Sequence, residues 1–175
     1  MTYTACTLTA PFGVFTAIAD GDVVVAGGFS ADVESLRARF PDPTASVSAR
    51  DGMGDISAAL AAYFDGDVTA IDALPVRAEG SPVMRRLWAE LRRIPAGEVR
   101  SYAELGGGRR QARVAGAACA RNPIPLLVPC HRVVRSGGGL GGFRWGLPIK
   151  TWLLDHERGA TGKGGREPRP AAAGG

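Results

Sequence analysis

The placement of turn residues limits the fold of this 175-residue chain more than any other feature. Pro11-Phe12-Gly13 and Asp20-Gly21-Asp22 cut its beginning into three short β-prone runs, Tyr3–Thr9, Val14–Ala19 and Val23–Gly27. Connections this tight make neighbouring strands antiparallel, because a parallel return needs a crossover of about a dozen residues or more. After these runs the apolar period changes. Val33, Leu36 and Phe40 recur at helical spacing within Ala31–Phe40, and Pro41 and Pro43 close that segment. A second helix is expected over Ile56–Phe64, with Asp55 at its start and Ile56, Leu60 and Phe64 on one face. Asp65–Glu79 reads as a connection with room for a short strand over Val68–Ile71, and it contains the expected domain boundary.

Beyond it the punctuation is that of helices. Ser81 is a capping residue followed by Pro82 at the first helical position, and Val83, Leu87, Leu91 and Ile94 form an apolar face that should end near Pro95-Ala96-Gly97. A short helix from Ser101 to Leu105, the triplet Gly106-Gly107-Gly108 and a basic helix over Arg109–Arg121 follow in helix-turn-helix order. Asn122-Pro123-Ile124-Pro125 should leave that helix extended, since proline drives the preceding residue out of helical geometry. The apolar Leu126-Leu127-Val128 then leads into Pro129-Cys130-His131-Arg132. A loop with five glycines spans Ser136–Gly142, and a last helix is expected over Leu147–Glu157, with Ile149, Trp152, Leu153 and His156 on one side. The fold class is therefore α+β: a small antiparallel-sheet domain with helices over residues 1–76 and a mostly helical domain over residues 77–159. The low-complexity residues 160–175 are expected to be a disordered tail.

Charge divides the chain in the same place. Residues 1–76 carry 3 Lys+Arg against 10 Asp+Glu, a balance of −7, and residues 77–175 carry 18 against 7, a balance of +11. One acidic and one basic half point to a polyanion facing the second half, with nucleic acid the leading partner. No apolar run is long enough to cross a bilayer, and Pro11 and Asp20 stand where a signal peptide would be apolar, so a cytoplasmic protein without a membrane partner is expected. Cys6, Cys119 and Cys130 are too few and too irregular for a disulfide framework, and with only His131 and His156 beside them no metal site is expected.

A cysteine attacks as its thiolate, so Cys130, with His131 and Arg132 beside it, is the candidate nucleophile. The tripeptide alone also suits a buried core cysteine. Its surroundings extend the pattern: Asn122-Pro123 upstream, Ser101-Tyr102, Arg113 with Gly116-Ala117-Ala118, Gly141-Gly142-Phe143-Arg144-Trp145-Gly146-Leu147, and Lys150-Thr151-Trp152-Leu153-Leu154 with Glu157. Together with Pro129-Cys130-His131-Arg132-Val133, these segments resemble the O6-alkylguanine-DNA alkyltransferase family over roughly residues 80–158.

The resemblance implies a ribonuclease H-like N-terminal domain and a winged-helix-like C-terminal one. It implies that Cys130 takes the alkyl group from O6-methylguanine, and from O4-methylthymine, in an irreversible single turnover. His131 would accept the thiol proton through a water, Glu157 would orient His131, and Asn122 would hold the turn. Tyr102 would donate to the departing purine, and Val133, Phe143, Arg144 and Trp145 would line the base pocket, Trp145 narrowing it towards small alkyl groups. Arg113 would fill the space left by a flipped base, and Ala112, Val114, Gly116 and Ala117 would present a small-residue face to the minor groove. The implied partner is double-stranded DNA carrying O6-alkylguanine; the protein is expected to be monomeric in solution, and cooperative assembly of several copies on DNA is left open by the sequence. No cofactor is implied. Compared with the family pattern, Gly106-Gly107-Gly108 shortens the stretch from Tyr102 to Arg113, Val114 stands where alanine is common, and Phe143 replaces a tyrosine.

Overall fold

A computed structural model describes residues 1–162 of the chain. It divides into two compact units, one of Met1–Glu79 with Pro123–Leu127 and one comprising Gly80–Asn122 and the described residues from Val128 onward.

In the first unit, β1 (Thr2–Ala10), β2 (Gly13–Asp20) and β3 (Val23–Gly28) form the meander that the turn residues require. Ala10 pairs with Gly13 across Pro11-Phe12, and Asp20 pairs with Val23 across Gly21-Asp22. Two-residue loops of this kind fix the register as well as the direction of the strands. The sheet is nevertheless mixed, not antiparallel. A fourth strand, β4 (Ser46–Ala49), adds to the free edge of β1 in parallel, Thr2 opposite Ser46 and Ala5 opposite Ala49, in the order β3-β2-β1-β4. The long connection from β3 to β4 makes a parallel return possible. Ser46–Ala49 carries little apolar signal because it lies at a sheet edge and is largely exposed.

That connection holds the segment expected as an α-helix over Ala31–Phe40. It is a 3-10 helix, Val33–Arg39, capped by Asp32, whose side chain accepts from the amide of Glu34. Only Leu36 and Phe40 are buried there, too little apolar surface to hold a longer helix before Pro41. Helix α1 (Asp55–Phe64) buries Ile56, Leu60, Tyr63 and Phe64 and packs against β1. No strand forms over Val68–Ile71, which runs through turns. The sheet is met instead by an isolated parallel bridge between Val24 and Val76, in which Val24 donates to Pro75 O and Arg77 to Val24 O.

The second unit is built on helices. Ser81 caps α2 (Pro82–Arg92) by accepting from the amide of Met84, and Leu87, Trp88 and Leu91 form its buried stripe. Trp88 locks α2 to the next helix pair: its indole donates to Ala118 O at 2.9 Å. Strand β5 (Arg100–Ser101) leads into α3 (Tyr102–Gly106), where Ser101 and Glu104 close a reciprocal capping box. The expected single helix over Arg109–Arg121 begins as a 3-10 turn, Arg109–Gln111, and becomes α4 only over Ala112–Ala120.

After α4 the chain does not stay extended. It turns at Pro125–Leu127 with Leu126 at φ +76°, and Pro123 O accepts from the amide of Gly27 inside the first unit. A 3-10 turn, Cys130–Arg132, precedes β6 (Val133–Val134), which pairs in parallel with β5. Helix α5 (Leu147–Ala160) is longer than expected, and its buried face differs from the expected one. Lys150, Leu153, Leu154 and Glu157 point inward, while Trp152 and His156 stack on each other half-exposed. Two inward charged residues disguise the stripe from any reading by hydrophobicity. Of the expected tail, Ala160 belongs to α5 and Thr161 hydrogen-bonds back to Glu157 O, while residues 163–175 lie outside the described residues. No helix among the described residues is long and apolar enough to cross a membrane.

Candidate active site

Cys130 sits at the head of its 3-10 turn and is 7% exposed. Its amide donates to Val128 O at 2.8 Å, and the same carbonyl accepts from the buried side-chain amide of Asn122 at 2.7 Å. The end of α4 is thereby tied to the residue two before the thiol.

Behind the turn lies a dense ionic cluster. His131 and Glu157 are both fully buried, with His131 Nε2 2.9 Å from Glu157 Oε2. Arg132 approaches the same carboxylate with two nitrogens, Nε at 2.9 Å from Oε1 and Nη2 at 2.8 Å from Oε2, and its Nη1 donates to Ile94 O at 2.6 Å. Burial alone would raise the Glu157 pKa, but His131 and the bidentate guanidinium hold it well below the usual carboxylate range. Burial, helped by the positive charges of Arg132 and Lys150, pushes the His131 pKa down against the pull of Glu157, which keeps the imidazole neutral. Next to an ionised carboxylate the ring proton belongs on Nε2. Nδ1 is then the unprotonated nitrogen, and it is buried without a hydrogen-bond partner among the described residues.

Tyr102, the first residue of α3, is half-buried. Burial, then the nearby Cys119 and Cys130, push its hydroxyl up to about 12, so it is a proton-bearing donor at neutral pH. Gly141 makes room for it: a Cβ there would lie 2.6 Å from the hydroxyl oxygen, whereas one on Gly116 would reach only ordinary contact with Tyr102 Cδ1, at 4.0 Å. Burial also pushes the Cys119 thiol upward, leaving it neutral.

Cys130, His131, Glu157, Asn122 and Tyr102 thus belong to one unit and one neighbourhood, joined by direct bonds or by electrostatic contact. Of the expected pocket residues, Val133 is fully buried in β6. Its amide donates to Cys130 O and its carbonyl already accepts from Lys150. Phe143 and Trp145 are half-buried and Arg144 exposed, on the stretch that leaves the glycine loop for α5.

The residues expected to meet DNA lie on α4 and on the turn before it. Arg109, Arg110, Arg113 and Val114 are exposed, Ala112, Gly116 and Ala117 are half-buried, and Ala115 and Ala118 turn inward. Gly106 and Gly107 make the shortened turn feasible. A Cβ on Gly106 would lie 2.6 Å from Gln111 O, and Gly107 ends α3 at φ +91°, a conformation that suits glycine.

Arg132 and Lys150 escaped the sequence reading as site residues. The signal for Lys150 was available: it is one of only two lysines, and it lies seven residues before Glu157 beside Leu153 and Leu154 on the same helix face. Among the described residues no group of three or more His, Cys, Asp or Glu is placed to hold a metal ion.

Comparison with known proteins agrees with this geometry. Residues 82–159 match the model of the 6-O-methylguanine DNA methyltransferase DNA-binding domain. A methylated-DNA--protein-cysteine methyltransferase of Shigella flexneri is 43% identical over 107 residues, which cover 59% of this chain and 63% of that protein. The protein of the same name from Methanosarcina acetivorans is 37% identical over 118 residues, covering 66% of this chain and 75% of its own length. The crystal structure of Mycobacterium tuberculosis OGT in complex with DNA superposes with a TM-score of 0.73 at 28% identity, over 90% of this chain and 94% of that one. The chain aligns with less than two thirds of the Shigella protein, but it covers three quarters of the archaeal one with the Cys130 turn, its ionic cluster and the α3–α4 pair inside the matched domain. It belongs to the O6-methylguanine-DNA methyltransferase family.

Proposed function

We propose that this protein repairs O6-alkylguanine in duplex DNA by moving the alkyl group irreversibly onto Cys130. The carrying observation is the buried Cys130-His131-Glu157 arrangement, in which Glu157 holds the Nε2 proton of a neutral imidazole and leaves Nδ1 free to accept one. In the reaction the sulfur of Cys130 forms a bond to the alkyl carbon as the bond from that carbon to O6 breaks. The thiol proton passes through a water to His131 Nδ1, and the departing guanine, steadied by a hydrogen bond from the Tyr102 hydroxyl, takes up one proton from solvent at its ring nitrogen while His131 returns its proton to solvent through the same water. The net products are a thioether and an unmodified guanine, so atoms and charge balance without a cofactor. The thioether is not cleaved again. Each molecule acts once.

O6 of a paired guanine is inaccessible, so the base must leave the stack, at a cost of a few kcal/mol that is lower for a poorly paired lesion. Arg113, exposed at the start of α4, is suited to fill the space, with Val114, Gly116 and Ala117 against the groove. O4-methylthymine presents the same alkyl ether chemistry and is a second substrate in this reading. Three free thiols suit a reducing cytoplasm.

The deciding experiment is the intact mass of the protein after incubation with an oligonucleotide containing O6-methylguanine. One added methyl group per molecule, on the peptide containing Cys130, is expected, with no turnover. Cys130→Ser should abolish the gain while keeping DNA affinity. No mass gain with lesion binding retained would instead identify a non-catalytic lesion-binding protein.

A further inference from the structure

We propose that the outer face of α2 is a second surface for duplex DNA, which takes hold of another DNA segment while α4 still occupies the first. The inference rests on the repair reading above only where that reading gives DNA to α4. Helix α2 and its C-terminal cap carry four arginines, Arg85, Arg86, Arg92 and Arg93, against one carboxylate, Glu90. Seven residues are nearly two helical turns, so Arg85 stands in line with Arg92 and Arg86 with Arg93, the two pairs about 10 Å apart along the axis. Ala89 lies midway between them. Arg85, Arg86, Ala89, Glu90 and Arg93 are exposed, and Arg92 is half-buried.

The rotation of α2 about its axis is fixed by its other side. Leu87, Trp88 and Leu91 are buried where the helix packs on α3 and α4, and the Trp88 indole donates to Ala118 O at 2.9 Å. The arginines therefore face away from the helix pair on which Arg109, Arg110 and Arg113 lie. They form a cationic surface separate from that of α4.

Stability does not account for this stripe. Arg85 and Arg86 make no ion pair among the described residues, and the pair between Arg93 and Glu90 spans 3.6 Å with both side chains well exposed. Such a pair contributes about 1 kcal/mol or less. Phosphate chemistry does account for it. A duplex carries one negative charge for about every 1.7 Å of its axis. Its major groove is about 12 Å wide, so arginine pairs about 10 Å apart each meet the phosphates of one strand. Guanidinium groups suit phosphate oxygens because they donate in pairs. Ala89, small and exposed, lets the helix come close between the two strands. No Asn or Gln stands on α2 to read base edges, which fits a surface that holds any sequence. This regular spacing favours a duplex over an acidic protein surface.

Two DNA surfaces on one chain change how it leaves DNA. A second segment is bound at α2 before α4 lets go of the first, so free DNA drives release and complete dissociation is not required. The test loads the protein with a labelled undamaged duplex and follows release by anisotropy as unlabelled duplex is added in rising excess. Wild-type release should quicken in proportion to competitor concentration. In the triple variant Arg85→Gln, Arg86→Gln, Arg93→Gln that dependence should be lost, while methyl transfer to Cys130 from saturating DNA keeps its wild-type rate. The triple variant Arg85→Lys, Arg86→Lys, Arg93→Lys, which retains the charge, should retain the dependence. If the glutamine variant does not fold, Arg85→Gln alone should still weaken it. Wild-type release independent of competitor, or a dependence unchanged in the glutamine variants, overturns the proposal. So does wild-type self-association at low salt without DNA that the glutamine variant loses, which gives the stripe to the acidic half of a second copy. The release measurement needs no lesion, so the expected release without any methyl gained from O6-methylguanine DNA overturns the repair reading alone.

Discussion

Glu157 receives three donors inside a fully buried shell, two from Arg132 and one from His131. Removing its charge while leaving the guanidinium in place strands a buried cation. Glu157→Gln is therefore expected to cost about 3–5 kcal/mol of stability in denaturant unfolding, and to slow alkyl transfer by about 10²-fold through loss of the imidazole's orientation. The sign with pH follows from the depressed carboxyl. Its contribution to stability is complete above the ordinary value of 4.5 and is lost as pH falls towards the lower folded value. Acid unfolding of the wild type should become steeper below about pH 4.5, and Glu157→Gln should remove that limb. At this scale the sequence showed which residues could react but not how their charges pair. Arg132 looked like a neighbour of the thiol and proved to be a partner of Glu157 and Ile94.

Among the elements, α3 and α4 depend on a turn that only glycine makes short enough. Gly107 ends α3 in the left-handed region with nothing near its missing Cβ, so Gly107→Ala isolates backbone strain. A loss of about 1 kcal/mol or more is expected, measured as a lower unfolding midpoint. Gly106→Ala should cost more, because its Cβ would meet the main chain of Gln111. The basic face of this pair has its own test. If Arg110 neutralises one phosphate, Arg110→Ala should weaken binding to all sequences alike and reduce the salt slope by about 1. Arg113→Ala should instead reduce lesion transfer more than overall affinity. Helix starts were legible because a cap is completed within three or four residues, as at Ser81 and Ser101. The buried stripe of α5 was not, since Lys150 and Glu157 are surface residues by type and become interior ones only through partners elsewhere in the chain.

At the scale of the whole molecule, the charge imbalance of −7 over residues 1–76 and +11 over residues 77–175 places the cationic surface in the half that carries Cys130. Binding to undamaged duplex DNA should therefore fall steeply as salt is raised, whereas methyl transfer to Cys130 from saturating DNA should change little. Titrating salt in both measurements separates the two. Turn residues, helix caps, the charge split and the Pro129-Cys130-His131-Arg132-Val133 segment were determined by the sequence alone, because each is complete within a few consecutive residues or is a sum over them. Tertiary structure decided what depends on distant partners: the parallel addition of β4 to β1, the return of Pro123–Leu127 to the first unit, the pairing of Arg132 with Glu157 25 residues away, and the reach of Lys150 to Val133 across 17 residues. The physical reason is common to all of them. A sheet edge or a buried charge is stable only when the group that satisfies it arrives, and local sequence carries no record of that arrival.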